Sequence, residues 1–165
     1  MAALTAGTTA PKFELKAMDG KSFVLGEELA RGPVVLAFFK VSCPVCQYAF
    51  PFLERLERAY GHQRVRMIGV SQNSPKETAA FTKEFGVTFP VLLDDRETYP
   101  VSNAYGLTNV PTLFWIAPDG EIEISSVGWV KADFAEVNRK MAEAQEISAA
   151  SVFRPGEDVR DFRAG

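Results

Sequence analysis

Cysteine and histidine are scarce in this chain, and the shortage narrows its chemistry. Two cysteines and one histidine among 165 residues cannot supply the four protein ligands of a structural zinc site. An iron–sulfur cluster held by four cysteines is excluded by the same count. No apolar run approaches the roughly 20 residues that cross a bilayer as a helix. The stretch from Met1 to Pro11 is small and polar, with no basic segment leading into an apolar one. It does not read as a secretory leader, so a cytoplasmic setting is expected, or a periplasmic one if a leader has been removed. A net charge of −3 carries no basic excess, which argues against nucleic acid or an anionic membrane surface as partner. Internal repeats and low-complexity blocks are also absent. The remainder, 47% hydrophobic and 24% charged, is the composition of one soluble globular domain with a substantial core.

The two cysteines stand together in Cys43-Pro44-Val45-Cys46. Before them, Val34-Val35-Leu36-Ala37-Phe38-Phe39 is a short continuous apolar run of β-branched and aromatic residues, which reads as a buried strand. After them, Val45, Phe50, Leu53, Leu56 and Tyr60 recur at helical spacing with Glu54, Arg55, Glu57 and Arg58 between, an amphipathic helix. Cys43 therefore falls at the N-cap and Pro44 at the first helical position, where a missing N–H costs nothing. Free N–H groups and the helix dipole favour negative charge there, hence the nucleophilic thiolate. Cys46, one turn on, is placed to attack a mixed disulfide formed by Cys43, which is dithiol–disulfide exchange. A purely structural disulfide closing so small a loop gains little loop entropy, and a lone CxxC in a reducing compartment is a catalytic pattern.

Along the chain, residues 1–10 read as a flexible lead, residues 11–147 as the domain and residues 148–165 as a C-terminal tail. Phe13–Leu15 and Ser22–Leu25 alternate around Asp19-Gly20, a hairpin, and Gly26 to Arg31 suits a short helix. Pro51 inside the long helix removes a hydrogen bond and implies a kink. Val65 to Val70 is a second buried strand. Ser74-Pro75 with Glu77 is a capping box opening a helix that ends at Phe85-Gly86. Phe89 to Leu93 is a further strand, and Asp94-Asp95 reads as a loop or cap rather than an acid–base pair. An irregular helix is expected from Glu97 to Tyr105. Leu113–Ala117, Pro118-Asp119-Gly120 and Glu121–Val127 form strand, turn and strand, and Lys131 to Glu146 forms a last amphipathic helix. Helix-linked strands pair in parallel and the late hairpin must be antiparallel, so the expectation is an α/β fold: a mixed central sheet in a three-layer α/β/α arrangement, extended by an N-terminal hairpin.

From Ala10 to Glu146 these features resemble the thioredoxin fold, in the AhpC/TSA–redoxin branch shared by peroxiredoxins and TlpA/ResA-type thiol–disulfide oxidoreductases. The resemblance rests on Cys43–Cys46 after an apolar strand, Pro51, the Val110-Pro111-Thr112 segment 65 residues beyond Cys46, and Gly128 after the final hairpin. The extra unit from Val70 to Leu92 belongs to this branch and not to simple thioredoxins. The resemblance implies a cis Pro111 lying against the CxxC, with the Val110 backbone free to pair with an extended client segment. Val110, Pro111, Pro44 and Val45 are then the substrate-contacting set, and Cys43 and Cys46 the catalytic pair. Lys40, three residues before Cys43, would add positive charge near the thiolate, the plain alternative being an exposed lysine at a strand end. His62, beside Gly61, reads as a charge partner at a helix C-terminus.

Two departures stand out. Simple thioredoxins carry a buried aspartate where this chain has Ala37, and TlpA-type proteins commonly carry a glutamate where it has Ala49. Either carboxylate can accept the buried thiol's proton, so here the acceptor must be something else, such as water. The expected function is a thiol–disulfide oxidoreductase acting on protein or small-molecule disulfides. No metal or organic cofactor is implied beyond the redox-active disulfide, and electrons would come from thioredoxin and its reductase or another thiol donor. A peroxiredoxin-like peroxidase is the alternative. Its Pro-x-x-x-Thr/Ser-x-x-Cys pattern is not met, since Cys46 counts back to Cys43 and Phe39, and Cys43 to Lys40 and Leu36. A third reading is a non-enzymatic redox-sensing or partner-binding module, which Trp129 and the tail would serve.

Overall fold

The computed structural model describes residues 2–165. Strands β1 (Glu14–Lys16) and β2 (Ser22–Val24) form the expected hairpin, with Gly20 at φ 83° in its turn. Then follow α1 (Leu25–Leu29), β3 (Val34–Phe39), α2 (Pro44–Tyr60), β4 (Arg66–Ser71) and α3 (Pro75–Glu84). The second half comprises β5 (Val91–Leu93), α4 (Pro100–Ala104), β6 (Thr112–Ile116), β7 (Ile122–Val127), β8 (Trp129–Val130), α5 (Lys131–Ala144) and β9 (Phe162–Arg163). Five strands make one mixed sheet in the order β5-β4-β3-β6-β7. The helix-linked strands β3, β4 and β5 are parallel, whereas β6 and β7 run antiparallel on the other side of β3.

Every residue of β3 is buried, and its alternating side chains feed two cores. Val35, Ala37 and Phe39 face α2, α3 and α5 and meet Phe50, Leu53, Phe81 and Val137. Val34, Leu36 and Phe38 face α1, α4 and the hairpin and meet Phe23, Leu25, Val101 and Tyr105. Phe39 and Phe50 pack with ring centroids 4.4 Å apart and planes tilted by 47°. Each such fully buried large side chain contributes about 2–3 kcal/mol of transfer free energy. The three-layer α/β/α arrangement follows from a strand that is apolar on both faces.

Local chemistry sets the helix ends. Ser74 and Glu77 form the reciprocal capping box with Pro75 in the first turn. Helix α2 runs unbroken through Pro51 and ends at Gly61, at φ 69°. The helix expected over Glu97–Tyr105 shortens to α4 because side chains capture the preceding backbone. Asp95 Oδ1 accepts from Glu97 and Thr98 N–H at 2.8 and 3.0 Å. Asp94, buried at 3% exposure, accepts from Ser102 N–H at 2.8 Å and Ser102 Oγ–H at 2.7 Å. Pro90 likewise delays the expected Phe89–Leu93 strand to Val91.

Two terminal segments differ from expectation or sharpen it. The N-terminal lead is fixed rather than flexible, because β7 leaves a sheet edge whose backbone groups need partners. Gly7 N–H donates to Ile122 O at 2.8 Å, Ile122 N–H to Thr8 O at 2.9 Å and Ala10 N–H to Gly120 O at 2.8 Å; Met1 lies outside the described residues. The C-terminal tail is docked, and its β9 pairs antiparallel with β8. Among the described residues, no helix is long and apolar enough to cross a membrane.

Replacing Asp94 with Ala strands the buried Ser102 N–H and removes the α4 cap. An expected loss of about 2 kcal/mol is measured as a lower urea midpoint at unchanged slope.

Candidate active site

The end of β3 delivers the two cysteines, and the turn after it is held on both sides. Val41 N–H donates to Asn73 Oδ1 at 2.9 Å, and Val41 O accepts from Gln47 Nε2–H at 2.9 Å. Gln72 N–H, just beyond β4, donates to Phe39 O at 3.1 Å. Cys43 is the N-cap of α2 in extended geometry, with Pro44 in the first turn. Its Sγ accepts from the Cys46 N–H at 3.2 Å, an orphan donor of the first helical turn.

Cys43 is half-buried and Cys46 fully buried, and the two are unlinked thiols. Burial first, then the hydrogen bond with Cys43, pushes the Cys46 thiol far above its ordinary range, opposed in part by the backbone of Lys40. Ala37 and Ala49, the positions noted above for missing carboxylates, both border a cavity of about 30 Å³ between Pro111 and Trp129. Ser126 supplies the one hydroxyl in its otherwise mostly apolar lining, too few polar partners to hold a buried water. No carboxylate stands among the groups acting on Cys46.

The second wall is the turn before β6. The Val110–Pro111 peptide bond is cis, and the Cys43 Sγ–H donates to Val110 O at 3.4 Å. Thr112 Oγ1–H donates to Asn109 O at 2.7 Å and Gly128 N–H to Pro111 O at 2.8 Å, pinning the turn from both ends. An open cleft of about 480 Å³ lies beside the sulfur, bordered by Lys40, Cys43, Pro44, Gln72, Asn103 and Val110 among others.

The structure thus gathers Cys43, Cys46, Pro44, Val110, Pro111 and Lys40. Val45 is the exception: it is buried in the core among the residues of α2, because the second helical position turns inward, so it does not form part of the cleft. Lys40 is exposed at the cleft rim. His62 sits at the far end of α2, with Nδ1 3.5 Å from Glu57. The Asn73 partner lies 32 residues away, which gave no signal in the sequence; Gln47 and the Asn109 carbonyl bond within six and three residues, but no recognised local motif marks them.

A match to the AhpC/TSA family model covers residues 6–125. The chain belongs to the AhpC/TSA family. Among relatives in that family, the thiol-disulfide oxidoreductase ResA of Geobacillus thermodenitrificans is 33% identical over 122 residues, covering 73% of this chain and 68% of that one. ResA of Bacillus subtilis is 31% identical over 156 residues, covering 93% and 79% respectively. A solved thiol:disulfide interchange protein of the thioredoxin family from Chlorobium tepidum superposes with a TM-score of 0.68 at 26% identity, covering 84% of this chain and 99% of that one. The AhpC/TSA member described here therefore has the thioredoxin fold.

The unequal thiols imply unequal kinetics with Ellman's reagent. The first thionitrobenzoate release belongs to Cys43 and the second to attack by Cys46. Because the raised Cys46 thiol is almost wholly protonated at neutral pH, its thiolate fraction grows about tenfold per pH unit. The second phase is expected to accelerate by about that factor for each pH unit between roughly pH 6 and pH 9, as read by stopped-flow absorbance.

Proposed function

We propose that this AhpC/TSA protein is a thiol–disulfide oxidoreductase in which Cys43 attacks and Cys46 resolves. The observation that carries this reading is the accessible Cys43 at a helix N-terminus, with the buried Cys46 donating its N–H to it from one turn on. The Cys43 thiolate attacks one sulfur of a disulfide, that S–S bond breaks, and the departing thiolate takes up a proton. The Cys46 thiolate then attacks Cys43 Sγ and releases the second half of the substrate as a thiol. The protein is left with a Cys43–Cys46 disulfide and the substrate with two thiols, a transfer of two electrons. An external thiol donor, such as thioredoxin with its reductase, restores the dithiol by the reverse exchange.

The Cys46 N–H, aimed at Cys43 Sγ, and the N-terminus of α2 favour negative charge at that sulfur. Val110 orients the substrate through its backbone, Pro111 and Pro44 shape the contact, and Lys40 adds positive charge at the rim. The dithiol carries the electrons itself, so the reading calls for neither metal nor organic cofactor. A cysteine count of two, with none spared for a structural disulfide, suits a reducing, cytosolic setting.

Insulin-disulfide reduction and hydrogen peroxide consumption, both supplied with dithiothreitol, test the reading. Wild type should reduce insulin, and Cys46→Ser should lose more than ~10²-fold of that activity as a mixed disulfide accumulates on Cys43. Peroxide turnover exceeding insulin reduction would instead make the protein a peroxidase.

A further inference from the structure

The C-terminal tail returns to the reacting sulfur. It leaves α5, passes along α2 toward its N-terminus and ends against the Val110 turn. Ala150 N–H donates to Tyr60 Oη at 2.7 Å and Val152 is buried. Phe153 packs on Phe52 and Phe134, with ring centroids at 5.7 and 5.4 Å. Arg55 forms a two-pronged ion pair with Glu157, both contacts at 2.7 Å. It also donates to Val152 O at 2.9 Å. Farther along, Trp129 Nε1–H donates to Arg160 O at 2.6 Å and Arg160 N–H to Tyr48 Oη at 3.1 Å.

The last residues lie where a client strand would go. Strand β9 pairs with β8 directly after Gly128. Gly165 O accepts from Asn109 Nδ2–H at 3.1 Å. Gly165 lies so close to the Val110 carbonyl that a Cβ there would come within 2.5 Å of its oxygen, and a Cβ on Gly128 would come within 2.5 Å of Arg163 O. An extended polypeptide pairing with the Val110 backbone would have to displace residues 162–165. The cleft beside Cys43, on the Gln72 and Asn103 side, stays open. Phe162 is 61% exposed, so residues 162–165 are held by backbone pairing with β8, by Lys131 N–H to Asp161 O at 2.9 Å and by the Asn109 bond. Arg55–Glu157, Phe153 and the Trp129 hydrogen bond anchor the segment leading to them.

We propose that the tail is a specificity element that occupies the client-strand position beside Val110, so that small polar disulfides entering through the open cleft react without moving it whereas extended protein clients must displace it. This rests on the oxidoreductase reading above. The apparent affinity for a protein client is then reduced by the fraction of molecules whose tail is open, while the chemistry at Cys43 is the same for both substrate classes.

The test compares kcat/KM for insulin and for hydroxyethyl disulfide in the full chain and in two variants, Glu157→Lys and Phe153→Ser, each of which removes one anchor. Trp129 emission reports tail release, and circular dichroism reports the fold. The expected result is a rise of about fivefold or more in the insulin rate relative to the hydroxyethyl disulfide rate, with the small-disulfide rate near wild type. An unchanged ratio in both variants overturns the proposal. If wild type reduces neither substrate, the oxidoreductase reading itself fails; if it reduces both and the ratio does not move, only the role of the tail fails.

Discussion

Burial of β3 on both faces is the constraint from which the site follows. A strand whose six residues are all enclosed is packed on both faces, and its register with each neighbouring strand decides which residues meet at its end. Its alignment with β4 places Phe39 opposite Ser71, so the residues just beyond, Gln72 and Asn73, reach back to Phe39 and Val41. Its alignment with β6 places Phe38 opposite Thr112, which sets the Val110–Pro111 turn across from Cys43. The sulfur's position is thus determined by two strand registers and a helix cap, with the Asn73 and Gln47 side chains steadying the turn between them.

Chemistry then comes from making two identical side chains unequal. Cys43 sits where a helix offers unpaired N–H groups and the cleft admits a substrate; Cys46, only one turn away, is sealed from water. The neighbourhood contributes to that inequality by subtraction. Alanines at 37 and 49 leave a small cavity beneath Pro111 rather than a carboxylate, so no carboxylate stands there to accept the Cys46 proton. The first exchange step uses a sulfur that a substrate can reach at the helix cap, while the second depends on the small thiolate fraction of a buried group.

How much of this was legible in the sequence depended on the range of the interaction. The apolar run of β3, Cys43 at the cap, Pro44 in the first turn and the Ser74–Glu77 box are written within a few residues, and each lies where its spacing predicts. The Val110–Pro111 turn was legible through family resemblance, since no local pattern ties it to a cysteine 67 residues away. Val45 was legible as the first residue of the apolar stripe of α2, where the structure buries it; its place in the substrate set came from family resemblance, and the local helical spacing was the better guide. The late start of α4 needed knowledge that Asp95 would capture the Glu97 and Thr98 donors and Asp94 those of Val101 and Ser102. The ordered lead was illegible for a different reason: small polar residues look flexible until an open sheet edge is known to lie beside them.

The tail shows the same limit more sharply. Its residues are polar and irregular, and by composition they resemble a loose terminus. Docking instead draws on partners scattered through the domain: Arg55 from the middle of α2, Tyr60 from its end, Trp129 from β8 and Asn109 from the turn beside the active site. An exposed ion pair alone contributes little, but Arg55 and Glu157 are each about three-quarters covered and act with an aromatic cluster and several backbone bonds. A segment held by several modest contacts can be released by a competitor that replaces only the last of them. Placing such a segment over Val110 makes access for a protein client depend on competition rather than on fit alone.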